Sequence, residues 1–368
     1  MSVEHVETLI IGAGQAGLST AHHLQLKRRS CLVVDANERV GDGWRRQWDT
    51  LKLYSPAKYD GLHGLPFPAA PWSFPGKDDV ANYLETYAEH FDIPVRLRTR
   101  VDRLAAHGDG YIATCGDDTI LADNVVVATG TFGRAPYIPD FADKLDPMIM
   151  QMHSSEYRRP AQLLEGPVLV VGASHSGGDV AYEVATDHAT ILCGRDTGQI
   201  PTRLTSPMFK VVFPVVLFTF KHVLSRRTPI GRKVMNEFRF HGGPALRVKR
   251  SDLAARGVER LEERVVGVQD GLPVLDGGRV ADVTNVIWCT GFRQTFDWID
   301  LPIFGEGGWP VEMRGVVEAS PGLYFCGLGF QYAAASMLIA GASRDAEHVA
   351  DHIVQRAATA VHPSVSAA

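Results

Sequence analysis

The sequence predicts an α/β protein built from two strand–turn–helix–strand units, one inserted into the other. Three observations carry this. A glycine turn, Gly12-Ala13-Gly14-Gln15-Ala16-Gly17, follows the apolar run 6–11 and opens the helix-like stretch 16–26. A second turn, Gly172-Ala173-Ser174-His175-Ser176-Gly177, follows the run 168–171 and opens another helix. Two further strand-like runs, 124–128 and 283–289, end in Thr129-Gly130 and Thr290-Gly291, spaced as the points where a chain leaves one domain and returns to it.

The first unit runs from 6 to 35 as strand, turn, helix and strand, and ends at Asp35. Helical spacing returns at 78–90, where Val80, Tyr83, Leu84 and Tyr87 share a face. Residues 96–104 read as a strand, with Val101 among its apolar positions. The second unit spans 167–193 and is followed by Arg195. The last strand is 323–326, with a helix expected near 333–354. These elements place one discontinuous domain at 1–145 and 295–368, and a second domain at 146–294 carrying an insert at about 201–250. Both have the Rossmann-like form.

The turns state a chemistry. Glycines at this spacing permit a tight turn and the approach of a pyrophosphate to a helix N-terminus. In the first turn the contact set is Gly12, Gly14, Gln15, Ala16 and Gly17. An acid at the end of the next strand, Asp35, suits a free ribose diol, as in FAD. In the second turn the set is Gly172, Ser174, Ser176 and Gly177, with Ser174 in place of the middle glycine. Arg195 in the position matching Asp35 suits the 2′-phosphate of NADPH, against the alternative of a solvated surface arginine. Two different dinucleotides imply flavin redox chemistry.

Composition narrows the rest. The chain has 368 residues and a net charge of −5. Residues 201–250 hold eleven Lys or Arg against one acid, Glu237, so this segment is +10 and the remainder −15. No nucleic-acid motif accompanies the charge, and nucleic acid is excluded as a partner. The five cysteines are scattered, with no Cys-x-x-Cys, so neither a bound metal nor a dithiol pair is expected. The first strand begins at the N-terminus, which leaves no signal peptide and suggests the cytoplasm. The apolar run 211–220 is too short to span a bilayer, and Pro214 argues against one straight helix. A buried helical excursion with its charges facing water is the expectation there. Peripheral membrane contact through 205–233 and a lid over an apolar substrate are the alternatives.

At this point the chain resembles the class B flavoprotein monooxygenases: flavin-containing monooxygenases, plant auxin-forming enzymes and Baeyer–Villiger enzymes. The resemblance rests on GAGQAG, Gly43-Trp44-Arg45, Leu51-Lys52-Leu53-Tyr54-Ser55-Pro56, Ala128-Thr129-Gly130 and the second turn. It rests also on His153 and Tyr157 of the family's Phe-x-Gly-x-x-x-His-x-x-x-aromatic pattern. Pro147 and Ile149 depart from that pattern. The resemblance implies FAD against Gly43, Trp44, Leu53, Val101, Thr129, Gly130 and Ala334, and NADPH against the second turn, Arg195 and Thr290. It implies dioxygen activation as a flavin C4a-hydroperoxide and transfer of one oxygen atom to a small substrate, a soft nitrogen or sulfur nucleophile. Baeyer–Villiger oxygenation or a flavin-dependent NADPH reductase are the alternatives. Tyr54, Ser55, His153 and Gln331 become candidate catalytic residues, with structural packing as the alternative for Tyr54 and His153. A homodimer stays open.

Overall fold

The computed structural model describes residues 2–130 and 135–361; the last residues of the expected C-terminal segment lie outside it. Two sheets organise the chain. The larger has a parallel core in which Val3–Ile11 pairs with Leu32–Val34 on one side and Asp118–Val127 on the other, and Leu323–Phe325 pairs with Asp118–Val127. An antiparallel meander, Arg103–His107 with Gly110–Cys115, extends it, and Ile299–Asp300 closes its edge. The smaller sheet is wholly parallel, in the order Glu259–Leu261, Thr190–Cys193, Val168–Val171, Asn285–Trp288, Met150–His153. Its central strand, Val168–Val171, is buried throughout, which explains its unbroken apolar sequence.

The larger sheet thus takes strands from both ends of the chain, and the smaller from its middle. The crossings lie side by side: Ala135–Pro136 pairs antiparallel with Phe292–Arg293, and Tyr137 N–H donates to the Gly291 carbonyl at 2.9 Å. Helix Gln15–Leu26 packs against the C-terminal helix Ile339–Val361 through Leu18, Ala21, Ala342 and Ala346.

Three expectations are corrected. The stretch 96–104 is not one strand, because Arg98 takes a left-handed φ of 53° that breaks the extended chain between Val95–Arg96 and Arg103–His107. The C-terminal helix does not begin at 333. A 3-10 turn, Ala334–Met337, comes first, and Leu338 is extended before the helix starts at Ile339. The insert is helical straight through Pro214: Phe209–Phe218 is an α-helix that continues as a π turn, Thr219–Val223. Its inner face, Phe209 and Phe213, packs on Phe74 and Tyr59. The excursion is therefore half-buried. Met208, Val211, Val215 and Phe218 face outward, each more than half exposed.

Candidate active site

The two glycine turns repeat one geometry. Gly12 and Gly172 have φ of 112° and 106°, and their N–H groups donate to Val34 O and Cys193 O. A Cβ on Gly12 would meet Ala128 O at 2.6 Å, and one on Gly172 would meet Cys289 O at 2.4 Å. The strand end before each Thr-Gly thus presses on the first glycine. The third glycine is locked in the same way. A Cβ on Gly17 or Gly177 would lie 1.9 or 1.7 Å from the carbonyl oxygen of Gly12 or Gly172. Only the middle position differs. Gly14 has nothing within 4 Å of its would-be Cβ, so open space faces the helix start at Gln15, where the first-turn amides lack intrahelical acceptors. That cradle fits a pyrophosphate.

Asp35 stands at the edge of the first cradle. Its carboxylate accepts from Ala13 N–H at 2.7 Å and Asn37 N–H at 2.8 Å, which fixes its position and leaves lone pairs for a ribose diol. Nearby, Gly41 turns at φ 87° and Gly43 faces open space. Trp44 packs between the cores of the two sheets, and Leu53 and Val101 pack at the larger sheet's cores.

At the second cradle, Ser174 Oγ donates to Gly243 O at 3.0 Å, and a Cβ on Gly242 would meet that hydroxyl oxygen at 2.5 Å. The end of the insert thus lies directly on this turn. Arg195 follows the strand Thr190–Cys193 and Gly194; it is solvent-accessible, with a loose ion pair to Glu237 at 3.3 Å. Its guanidinium is available to a phosphate. The Thr290 hydroxyl is engaged with Tyr137 O at the crossing.

The four candidate catalytic side chains each hold partners of their own. Tyr54 donates to Asp179 Oδ2 at 2.8 Å and stacks on His175. Ser55 donates to buried Asp60 at 2.6 Å. His153 is fully buried, with Nδ1 at 2.9 Å from Ser155 Oγ and Nε2 at 2.9 Å from Gly291 O; both nitrogens are occupied, and burial pushes its pKa down. It ties the crossing through Gly291. Gln331 is turned inward, accepting from Leu328 N–H, with its amide nitrogen beneath Gly315. Ala334 N–H is taken by Leu224 O at 2.9 Å, so the insert, not an open helix end, caps that segment.

Sequence reasoning missed the node that joins the sheets. Asp179, on the helix His175–Val184, receives Tyr54 from the larger domain and Arg247 at 2.9 Å from the end of the insert. Arg247 also donates to Thr50 O, and Thr50 Oγ1 donates to Glu183. Trp48 and Leu51 complete the contact from within the smaller sheet's core. The acid one turn into the helix after the second glycine turn was the available signal.

Comparison with known proteins agrees with this architecture. Residues 9–238 match the pyridine nucleotide-disulphide oxidoreductase family. The chain belongs to that family. A CzcO-like oxidoreductase of Geobacillus kaustophilus is 34% identical over 95% of this chain and 98% of its own length. The indole-3-pyruvate monooxygenase YUCCA1 of rice is 32% identical over 48% of this chain and 44% of its own. Among solved structures, the flavin-containing monooxygenase of Stenotrophomonas maltophilia superposes with TM-score 0.75 at 25% identity, over 96% of this chain and 99% of that one. The chain is accordingly an oxidoreductase of the flavin monooxygenase type. The bacillithiol disulfide reductase of Staphylococcus aureus shares the fold, at TM-score 0.70 and 14% identity.

Proposed function

We propose that the protein is an FAD- and NADPH-dependent monooxygenase that places one oxygen atom of dioxygen on a small substrate, a soft nitrogen or sulfur nucleophile. The observation that carries this is the pair of glycine cradles with opposite flanking charge, Asp35 and Arg195. Bound FAD would accept two electrons from NADPH and pass them to dioxygen. The chain's residues bind and orient. The amides at Gln15–Gly17 receive the FAD pyrophosphate, and Asp35 receives its ribose. The amides at His175–Gly177 receive the NADPH pyrophosphate, and Arg195 its 2′-phosphate. The Tyr54–Asp179–Arg247 node holds the two cradles in fixed relation.

The cysteines speak against thiol–disulfide exchange. Burial pushes Cys31, Cys193, Cys289 and Cys326 to about 12 and Cys115 to about 11, and all five are free thiols. A reactive thiolate needs the opposite shift. The test is turnover of a panel of amines and thioethers under isotope-labelled dioxygen, with the product read by mass. Label in the product is expected. NADPH consumption that yields only peroxide, or reduction of a disulfide or quinone acceptor without label, refutes the assignment.

One observation supports a finer reading of location. Met208, Val211, Val215 and Phe218 make an outward apolar stripe, 57–67% exposed, flanked by exposed Lys210, Arg227, Arg232 and Lys233. No described helix is long and apolar enough to cross a membrane. An apolar stripe with a cationic border suits the surface of an anionic bilayer. A second copy of the chain would set the same cations against one another. Vesicle flotation checks this: wild type should float with phosphatidylglycerol and the Val211→Ser/Val215→Ser/Phe218→Ser variant should not. Equal flotation of both refutes it.

A further inference from the structure

Tyr332 lies in the segment that the insert caps, its carbonyl accepting from Arg226 N–H at 2.8 Å. Three guanidinium groups converge on its ring: Arg314 at 4.3 Å, Arg344 at 4.5 Å and Arg227 at 5.6 Å from the centroid. They come from three parts of the chain: the insert, a tight turn, and the start of the C-terminal helix. The Lys221 backbone carbonyl accepts from Arg344 Nη1 at 2.8 Å. Burial lowers the pKa of Arg314; Tyr332 and Asp345 oppose this, and Arg227 and Arg344 add to it.

Counter-charge is short. Asp345 is buried and accepts from Arg344 Nε at 3.0 Å. The adjacent Glu312 is consumed by Arg226 at 2.6 Å and Arg239 at 3.3 Å. Three guanidinium groups around Tyr332 therefore share one carboxylate. Polar atoms are also left over: Arg314 Nε and Arg344 Nη2, and on the acceptor side Asp345 Oδ2, are buried without a partner. Unpaired buried guanidinium N–H groups are costly unless something accepts from them. The turn adds to the cost. Arg314 sits at φ 55° ahead of Gly315 at φ 87°, in a turn where Asn or Asp would be at ease. This left-handed turn carries the Arg314 guanidinium that lies over Tyr332.

We propose that Arg227, Arg314 and Arg344 form a binding site for the oxyanion of a small molecule, a carboxylate or phosphate monoester. The forked N–H groups match such oxygens. The site is separate from the second nucleotide cradle. The helix Pro229–Phe240 runs from this cluster to the Gly242–Gly243 segment on Ser174, and its 12 residues span about 18 Å. If the oxygenation reading holds, the anion anchors one end of the substrate; binding itself does not depend on that reading.

The experiment is calorimetric titration of FAD-loaded protein with benzoate and with phenyl phosphate, in low-chloride buffer, with NADP+ present to fill the second cradle. Saturable binding of at least one probe is expected. Arg314→Gln or Arg344→Gln should weaken it by about tenfold or more. Arg227→Gln, at an exposed residue and so safe for folding, should weaken it several-fold, and Lys233→Gln, exposed and outside the cluster, should leave it unchanged. The preferred probe tells carboxylate from phosphate ester. No saturable binding by wild type, or equal losses in Arg227→Gln and Lys233→Gln, overturns the proposal. Binding to phosphatidylglycerol vesicles alone, with neither soluble probe bound, also overturns it.

Discussion

Replacing Arg247 by Met should expose how the two domains are held. Asp179 is 2% exposed, and one of its oxygens takes both the Tyr54 hydroxyl at 2.8 Å and Arg247 at 2.9 Å. Burial pushes its carboxyl above the usual range, and Arg247 is the strongest opposing influence, followed by Tyr54. Breaking a buried ion pair costs about 3–5 kcal/mol, because the remaining charge is stranded. Arg247 is 27% exposed, and Tyr54 still donates, so solvent screening and the surviving bond reduce this; about 2–3 kcal/mol is expected. Pairing the change with Asp179→Asn removes the stranded charge and should recover more than half of the loss. The pH dependence gives a second check. Without Arg247 the folded protein holds a proton on Asp179 at a pH where the unfolded chain has lost it. Stability of the variant then rises as pH falls, and its deficit shrinks from neutral to mildly acid pH. Urea unfolding at both ends of that range measures it. A deficit below about 1 kcal/mol at the higher pH, or one that does not change with pH, refutes the reasoning.

Further expectations follow from the same geometry. His23 is buried beside His22, His63, Lys27 and Asp351, with its pKa lowered to about 4, chiefly by desolvation. The unfolded chain takes up a proton near pH 6.5 that the folded chain refuses until about 4. Stability should therefore fall across that window by about 1–3 kcal/mol, and His23→Gln should flatten the slope in acid unfolding. Gly14→Ala should leave the melting temperature of flavin-free protein unchanged, since its Cβ meets nothing, yet lower FAD affinity by tenfold or more. Gly17→Ala, whose Cβ would lie 1.9 Å from Gly12 O, should fail to fold. Arg195→Ala should raise the Michaelis constant for NADPH about tenfold or more and barely change that for NADH; equal changes would remove the 2′-phosphate role.

What was legible in the sequence was what is local. The glycine turns could be read because their constraint is steric and short-range: Gly17 presses on Gly12, five residues away, and Gly177 on Gly172. The helix Pro229–Phe240 carried its own start signal, Thr228 then Pro229, with the Thr228 hydroxyl accepting from Gly231 N–H at 3.0 Å. Partners far along the chain were not legible. Tyr54 is a candidate by resemblance, but nothing in the sequence links its hydroxyl to Asp179, 125 residues on. The Tyr332 arginines are scattered from 227 to 344 and meet only in the fold. Ser174 shows the same limit at a single atom. In the sequence it is a lapse from the glycine pattern that a phosphate could tolerate. In the fold its hydroxyl is donated to the Gly243 carbonyl. The serine therefore ties the end of the insert to the second turn, a link that glycine, with no side chain, could not make.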